Sequence, residues 1–113
     1  MSEDRPDSTD RVRQLNDAFR RSFVGGVVCV TAGFEALPPE RRSSLLAQVR
    51  AFDAFDENND PHGEHDFGVV EDGDVQCFWK IDLYDREMEL MSPDPSDPAV
   101  TTRVLTIMLA DEY

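Results

Sequence analysis

Apolar residues recur at Val12, Leu15, Phe19 and Phe23, at spacings of three, four and four, which places them on one face of a helix. Ser8, Thr9 or Asp10 can cap its start, and Gly25-Gly26 stops it, so a helix is predicted to about Ser22. Val27-Val28-Cys29-Val30-Thr31 then reads as a short central strand buried on both faces, because it is β-branched and does not alternate. Pro38-Pro39 opens a second helix, since a first-turn residue has no helical partner for its N–H. Leu45, Val49 and Phe52 give that helix its apolar stripe, with Leu46 alongside, and it is expected to end near Phe55.

Residues 56–65 form a polar loop, and Asp66 to Glu71 reads as a strand with Phe67 and Val69 on one face. Glu71-Asp72-Gly73-Asp74 is a hairpin signal, because Asp-Gly suits the positive φ of a tight turn. In the strand Val75 to Leu83, Val75, Cys77, Trp79 and Ile81 share one face; Gln76, Phe78, Lys80 and Asp82 share the other. A last strand is predicted over Glu87 to Ser92, followed by a proline-rich loop. Asp97 as N-cap, Pro98 at the first helical position, and Val100, Val104, Ile107 and Met108 at i, i+4, i+7 and i+8 predict a third helix, widened by Leu105 and Leu109. The predicted order is α-β-α-β-β-β-α. It defines a single α+β domain over residues 1–113, a mainly antiparallel sheet packed by three helices, with residues 1–7 disordered.

Composition supports a folded domain: 40% of the 113 residues are hydrophobic, too many for a solvated acidic tail. The net charge of −13 excludes general binding to nucleic acid or to an anionic membrane, which needs clustered Lys and Arg. Residues 53–97 hold 15 acids against two bases, Lys80 and Arg86, while the rest of the chain is balanced. The other bases concentrate in the two predicted helices, at Arg11, Arg13, Arg20 and Arg21, then Arg41, Arg42 and Arg50. No apolar run approaches the ~20 residues that span a bilayer, and the polar N-terminus is unlike a signal peptide, so a cytoplasmic protein is expected. Cys29 and Cys77 sit in apolar runs without a C-x-x-C and are expected as buried free thiols; one disulfide between neighbouring strands is the alternative.

Three constellations invite chemistry. Asp56, Asn58 and Asp60 match positions 1, 3 and 5 of an EF-hand loop, but Pro61 stands where Gly is needed and Phe67 where the bidentate Glu is needed. His62 and His65, with Glu64, Asp66 and Asp82, contain the donor types for one divalent transition metal, although Gly63 between the histidines disfavours a helix presenting both. Lys80, the only lysine, must reach an edge or pair with a carboxylate such as Asp82, Glu64 or Asp66. There is no nucleophile elbow and no phosphate loop. Trp79, Phe78 and Tyr84 could form a stacking platform, but such platforms come with basic grooves.

These readings favour a non-enzymatic interaction module without a cofactor. Its acidic surface is expected to include Glu57, Asp60, Glu64, Glu71, Asp72, Asp74, Asp85, Glu87 and Glu89. A carboxylate array of this kind can imitate a nucleic-acid backbone and occupy the groove of a basic nucleic-acid-binding enzyme. The alternative is a small metal-binding protein or metal-dependent hydrolase built on His62 and His65. A third reading is a homodimer held by an exposed apolar helix face.

Three stretches carry a resemblance: Asn59-Asp60-Pro61-His62-Gly63-Glu64-His65-Asp66-Phe67-Gly68, then Phe78-Trp79-Lys80-Ile81-Asp82, then the run from Asp94 to Thr106. From about Arg11 to Tyr113 the chain resembles a family of small bacterial proteins classed only as a domain of unknown function. It departs from that family at Leu83, where a second Tyr often precedes Tyr84. The resemblance implies a bacterial cytosolic protein, often encoded on plasmids or other mobile elements, and carries over no activity and no catalytic residue.

Overall fold

The computed structural model describes residues 8–113; the expectation for residues 1–7 lies outside them. The chain runs α1 (Ser8–Ser22), β1 (Val27–Val30), α2 (Ala32–Glu35), α3 (Pro39–Ala51), β2 (Phe67–Asp72), β3 (Val75–Tyr84) and β4 (Thr102–Leu109). Single 3₁₀ turns occupy Pro98–Val100 and Ala110–Glu112. The strands form one mixed sheet in the order β1-β4-β3-β2, with β1 parallel to β4 and the other two pairings antiparallel. The α+β class therefore holds, with a different C-terminal third.

α1 and α3 form where the apolar stripes place them. Val12 and Phe19 are buried on α1, and Leu45 and Val49 on α3. Phe23 ends α1 at φ 61° while its N–H still donates to Phe19 O, and Gly25 follows at φ 111°. The turn α2 stands in a stretch read as a connection; Thr31 caps it and Phe34 plugs the core.

Three segments correct the sequence reading. The expected third helix is instead the 3₁₀ turn Pro98–Val100 followed by β4. Thr101, Thr102, Val104, Thr106 and Ile107 are β-branched, and a run buried on both faces satisfies helical and strand spacing alike. Five of the eight residues of β4 are buried, at 6% exposure or less: Arg103, Val104, Leu105, Ile107 and Met108; Thr101, just before the strand, is buried too.

The central strand is thus β4, between β1 and β3. β1 is an edge strand, and Val27, Cys29 and Val30 are exposed, contrary to the doubly buried strand expected there. Cys29 is consequently an exposed thiol, Cys77 is buried, and both are free. The strand expected at Glu87 to Ser92 is a turn touching β3 only through a Tyr84–Met91 bridge. Asp85 nucleates it by accepting from the N–H groups of Glu89 and Leu90.

On the inner face of the sheet, Val70, Cys77, Trp79, Ile81, Leu105 and Ile107 form one cluster with Phe19, Phe34, Leu45 and Val49 of the helices. All helical core residues meet this face. Pairing alternates side chains, so Phe67, Val69, Phe78, Lys80, Asp82, Thr106 and Met108 lie on the opposite face. Among the described residues no α-helix packs on that face; the C-terminal turn and Tyr113 border it, and Val104 and Met108 on it are buried.

Gly68 pairs with Trp79, and a Cβ added there would lie 2.5 Å from the Trp79 indole nitrogen. Gly68→Ala is expected to destabilise the protein by about 1–3 kcal/mol, as overpacking does. Chemical denaturation measures this, and an unchanged midpoint would show that β2 is free to move off Trp79.

Candidate functional site

The loop carrying both histidines is folded by its own polar side chains. Asp56 accepts from the N–H groups of Asn58 and Asn59, and the Asn59 amide donates to Ala54 O and accepts from Asp56 N–H. Asp60, itself buried, accepts from the N–H groups of Glu64 and His65. Both aspartates that suggested a calcium loop, Asp56 and Asp60, therefore bind backbone donors. Gly63 turns the chain at φ 70°, and His65 also takes a positive φ, 54°.

A second row of α1 holds this loop. Arg13, Asn16, Asp17 and Arg20 are spaced three, one and three, so they line one helical face beside the apolar stripe. Arg13 donates to Gly63 O and Asn16 to Glu64 O. His65 Nδ1 lies 2.9 Å from Asp17 Oδ1, its Nε2 lies 3.7 Å from Asp60 Oδ2, and its ring stacks on Phe55 with centroids 3.8 Å apart. Asp17 also accepts from Arg20 at 3.0 Å.

Arg20 is fully buried and donates to Val49 O and Phe52 O at the end of α3, with its guanidinium 5.1 Å from the Trp79 ring centroid. Burial holds its pKa below the ordinary arginine value, and Asp17 opposes that shift. Arg103 of β4 donates to Asn16 Oδ1 and to Pro95 O, joining the network to the proline-rich loop. Asn16, Asp17, Arg20 and Arg103 were missed by the sequence reading. The signal was the polar i, i+3, i+4, i+7 row on α1.

The predicted acids do not converge at one point. Glu71, Asp72 and Asp74 stand at the β2–β3 hairpin, where Arg41 pairs with Asp74 and donates to Asp72 O. Asp85, Glu87 and Glu89 follow the far end of β3, nine residues or about 30 Å away along the strand. Glu57 is exposed in the histidine loop, and Glu64 is half-buried there. Lys80 Nζ pairs with Asp82 at 2.9 Å, and Glu64 and Asp66 are not its partners. His62 is exposed, while His65 is engaged by Asp17 and Asp60. Among the described residues no group of three or more His, Cys, Asp or Glu side chains is placed to hold a metal ion.

The helix-free face is different in character. Phe67, Phe78 and Tyr113 meet edge to face there, at centroid distances of 5.3 to 6.1 Å. Val69 and Tyr113 are exposed, and the Lys80–Asp82 pair borders the cluster.

Structurally the chain is a helix-backed, four-stranded mixed sheet with one open face. It belongs to the family described as "Protein of unknown function (DUF3768)", whose model matches residues 30–112. No curated protein and no solved structure matches it. No helix among the described residues is long and apolar enough to cross a membrane.

Glu64 and Asp66 both have raised pKa values, chiefly because burial disfavours the carboxylate; for Glu64 the charge of Asp66 adds to this. An acid raised on folding binds more protons in the folded state. Its stabilising contribution is complete below the unfolded pKa and is lost as pH rises through the folded one. The double variant E64Q/D66N is therefore expected to melt higher than wild type at neutral pH, with the gap closing on acidification. Thermal unfolding from pH 7 to pH 4 measures it; a lower Tm at neutral pH would contradict the assignment.

Proposed function

We propose that the protein is a non-enzymatic interaction module that binds a basic protein partner on the helix-free face of its sheet. The observation that carries this reading is the aromatic cluster of half-buried Phe67 and Phe78 with exposed Tyr113, set between acidic groups at the hairpin and at the far end of β3. Aromatic anchors with a charged rim are the usual anatomy of a protein–protein contact. Carboxylates at both ends would steer a basic partner and speed its association at low salt.

Imitation of a nucleic-acid backbone is the finer form of the proposal. It draws on the charge of residues 53–97 and on the bacterial, mobile-element setting implied by the family resemblance. Its partner would be a cytoplasmic nucleic-acid-processing enzyme. His62, Glu64, His65, Asp66 and Asp82 have no role in this reading beyond holding the scaffold.

Affinity capture from a bacterial lysate tests the proposal. A basic protein is expected to be retained at low salt, released as salt rises, and lost from the variant F78A/Y113A. Displacement of that protein by DNA would support the mimic. Retention that ignores salt and survives F78A/Y113A would overturn the assignment of both surface and partner.

A further inference from the structure

We propose that two copies of the chain pair through β1, antiparallel and edge to edge, about a twofold axis at Cys29. The two edges of the sheet are treated differently. At the β2 edge the Gln48 side chain bonds both the N–H and the C=O of Glu71, and Arg41 bonds the C=O of Asp72. Blocked backbone groups and charge are how sheet edges are protected from pairing. Among the described residues the β1 edge has neither. Val27-Val28-Cys29-Val30 contains no charge and no Pro, and Val24, Val27, Cys29 and Val30 are exposed.

The register fixes the geometry. Thr31 N–H donates to Ile107 O, so Val27, Cys29 and Thr31 turn their backbone groups toward β4. By alternation Val28 and Val30 present theirs outward. In an antiparallel pair, Val28 of one copy then lies opposite Val30 of the other on both sides of the axis. Cys29 meets its own counterpart in a non-hydrogen-bonded pair, with Cα atoms about 4.5 Å apart.

A second copy is the fitting occupant for two reasons. The β2 edge is blocked at Glu71 and Asp72 while β1 is not, so β1 finds its better complement in β1, and the assembly closes as a dimer. Charge favours the same arrangement. β1 lies three strand spacings from β2, about 14 Å, beyond the screening length of about 8 Å at physiological salt. The acidic hairpins of two copies therefore repel weakly. Arg21 and Arg50 lie before β1 in the fold, joined by a bond from Arg50 Nε to Arg21 O; Glu112 sits at its other end, on Thr31 and Gly33. Antiparallel pairing sets the basic end of one strand beside the acidic end of the other.

A groove formed by Val30, Phe34, Pro39 and Leu46 flanks the edge, and Arg42 Nε in that groove has no hydrogen-bond partner among the described residues. The groove gives the partner's Val28 an apolar seat. The strand is short, so the dimer belongs to the weak, concentration-dependent class.

Sedimentation equilibrium over a concentration series tests this on the full chain. Wild type is expected to move from monomer toward dimer. V30K, which puts a lysine on the edge without disturbing the β4 ladder, is expected to stay monomeric with an unchanged melting curve. C29E, which sets two carboxylates face to face at the axis, provides a second variant with the same expected loss. Treatment with diamide, which accepts the two electrons and two protons of the thiol pair, should give a covalent dimer on a non-reducing gel that disappears in C29S, Cys77 being buried. A monomer at every concentration, or a dimer that survives both edge variants, would overturn the proposal.

Discussion

The fold depends on satisfying one buried cation. Arg20 has no exposed surface, so its guanidinium must find every partner inside the protein. It does so by joining pieces that are far apart in sequence: Asp17 on its own helix, the last carbonyls of α3 at Val49 and Phe52, and the ring of Trp79 at the centre of the sheet. Helix ends leave carbonyls without partners, and here one arginine satisfies two of them. That contact sets the position of α1 against α3. Asp17, already held by Arg20, then receives His65, and the histidine loop closes onto α1.

The histidine loop follows from this order of dependence. Its motif of two histidines among carboxylates invites a metal or acid–base reading. In the structure His65 is held between Asp17 and Asp60 and stacked on Phe55, while Asp60 is engaged by two backbone donors. His65 and Asp60 thus have structural duties that chemistry would have to displace. The surfaces left without such duties are the helix-free face and the β1 edge, which is why the functional proposals rest there.

Much of this was legible in the sequence, and the failures have physical causes. The stripe on α1, the proline start of α3, the hairpin at Gly73 and the inward face of β3 follow from local periodicity and turn chemistry, which residues carry by themselves. The identity of the central strand does not. Val27–Val30 and Thr102–Leu109 are both apolar β-branched runs, and only the tertiary pairing decides that the second is enclosed and the first lies at an edge. Asp97 and Pro98 signal a helix start correctly, yet only a single 3₁₀ turn forms before the chain enters the sheet. The polar row of α1 was equally visible as a spacing. Its partners, Gly63, Glu64 and His65, lie some 50 residues away, and nothing local names them. Net charge behaved similarly: the acids of residues 53–97 can be counted along the chain, while their division between the two ends of β3 required the sheet.

The central claim is that His65 serves the scaffold through Asp17. A double-mutant cycle on thermal or chemical stability, with D17N, H65A and the double variant, tests it most directly. Networked buried groups couple by about 0.5–3 kcal/mol, and a coupling in that range is predicted, with each single variant destabilised. Additive effects, or an H65A protein as stable as wild type, would contradict the account and return the histidine to the pool of functional candidates.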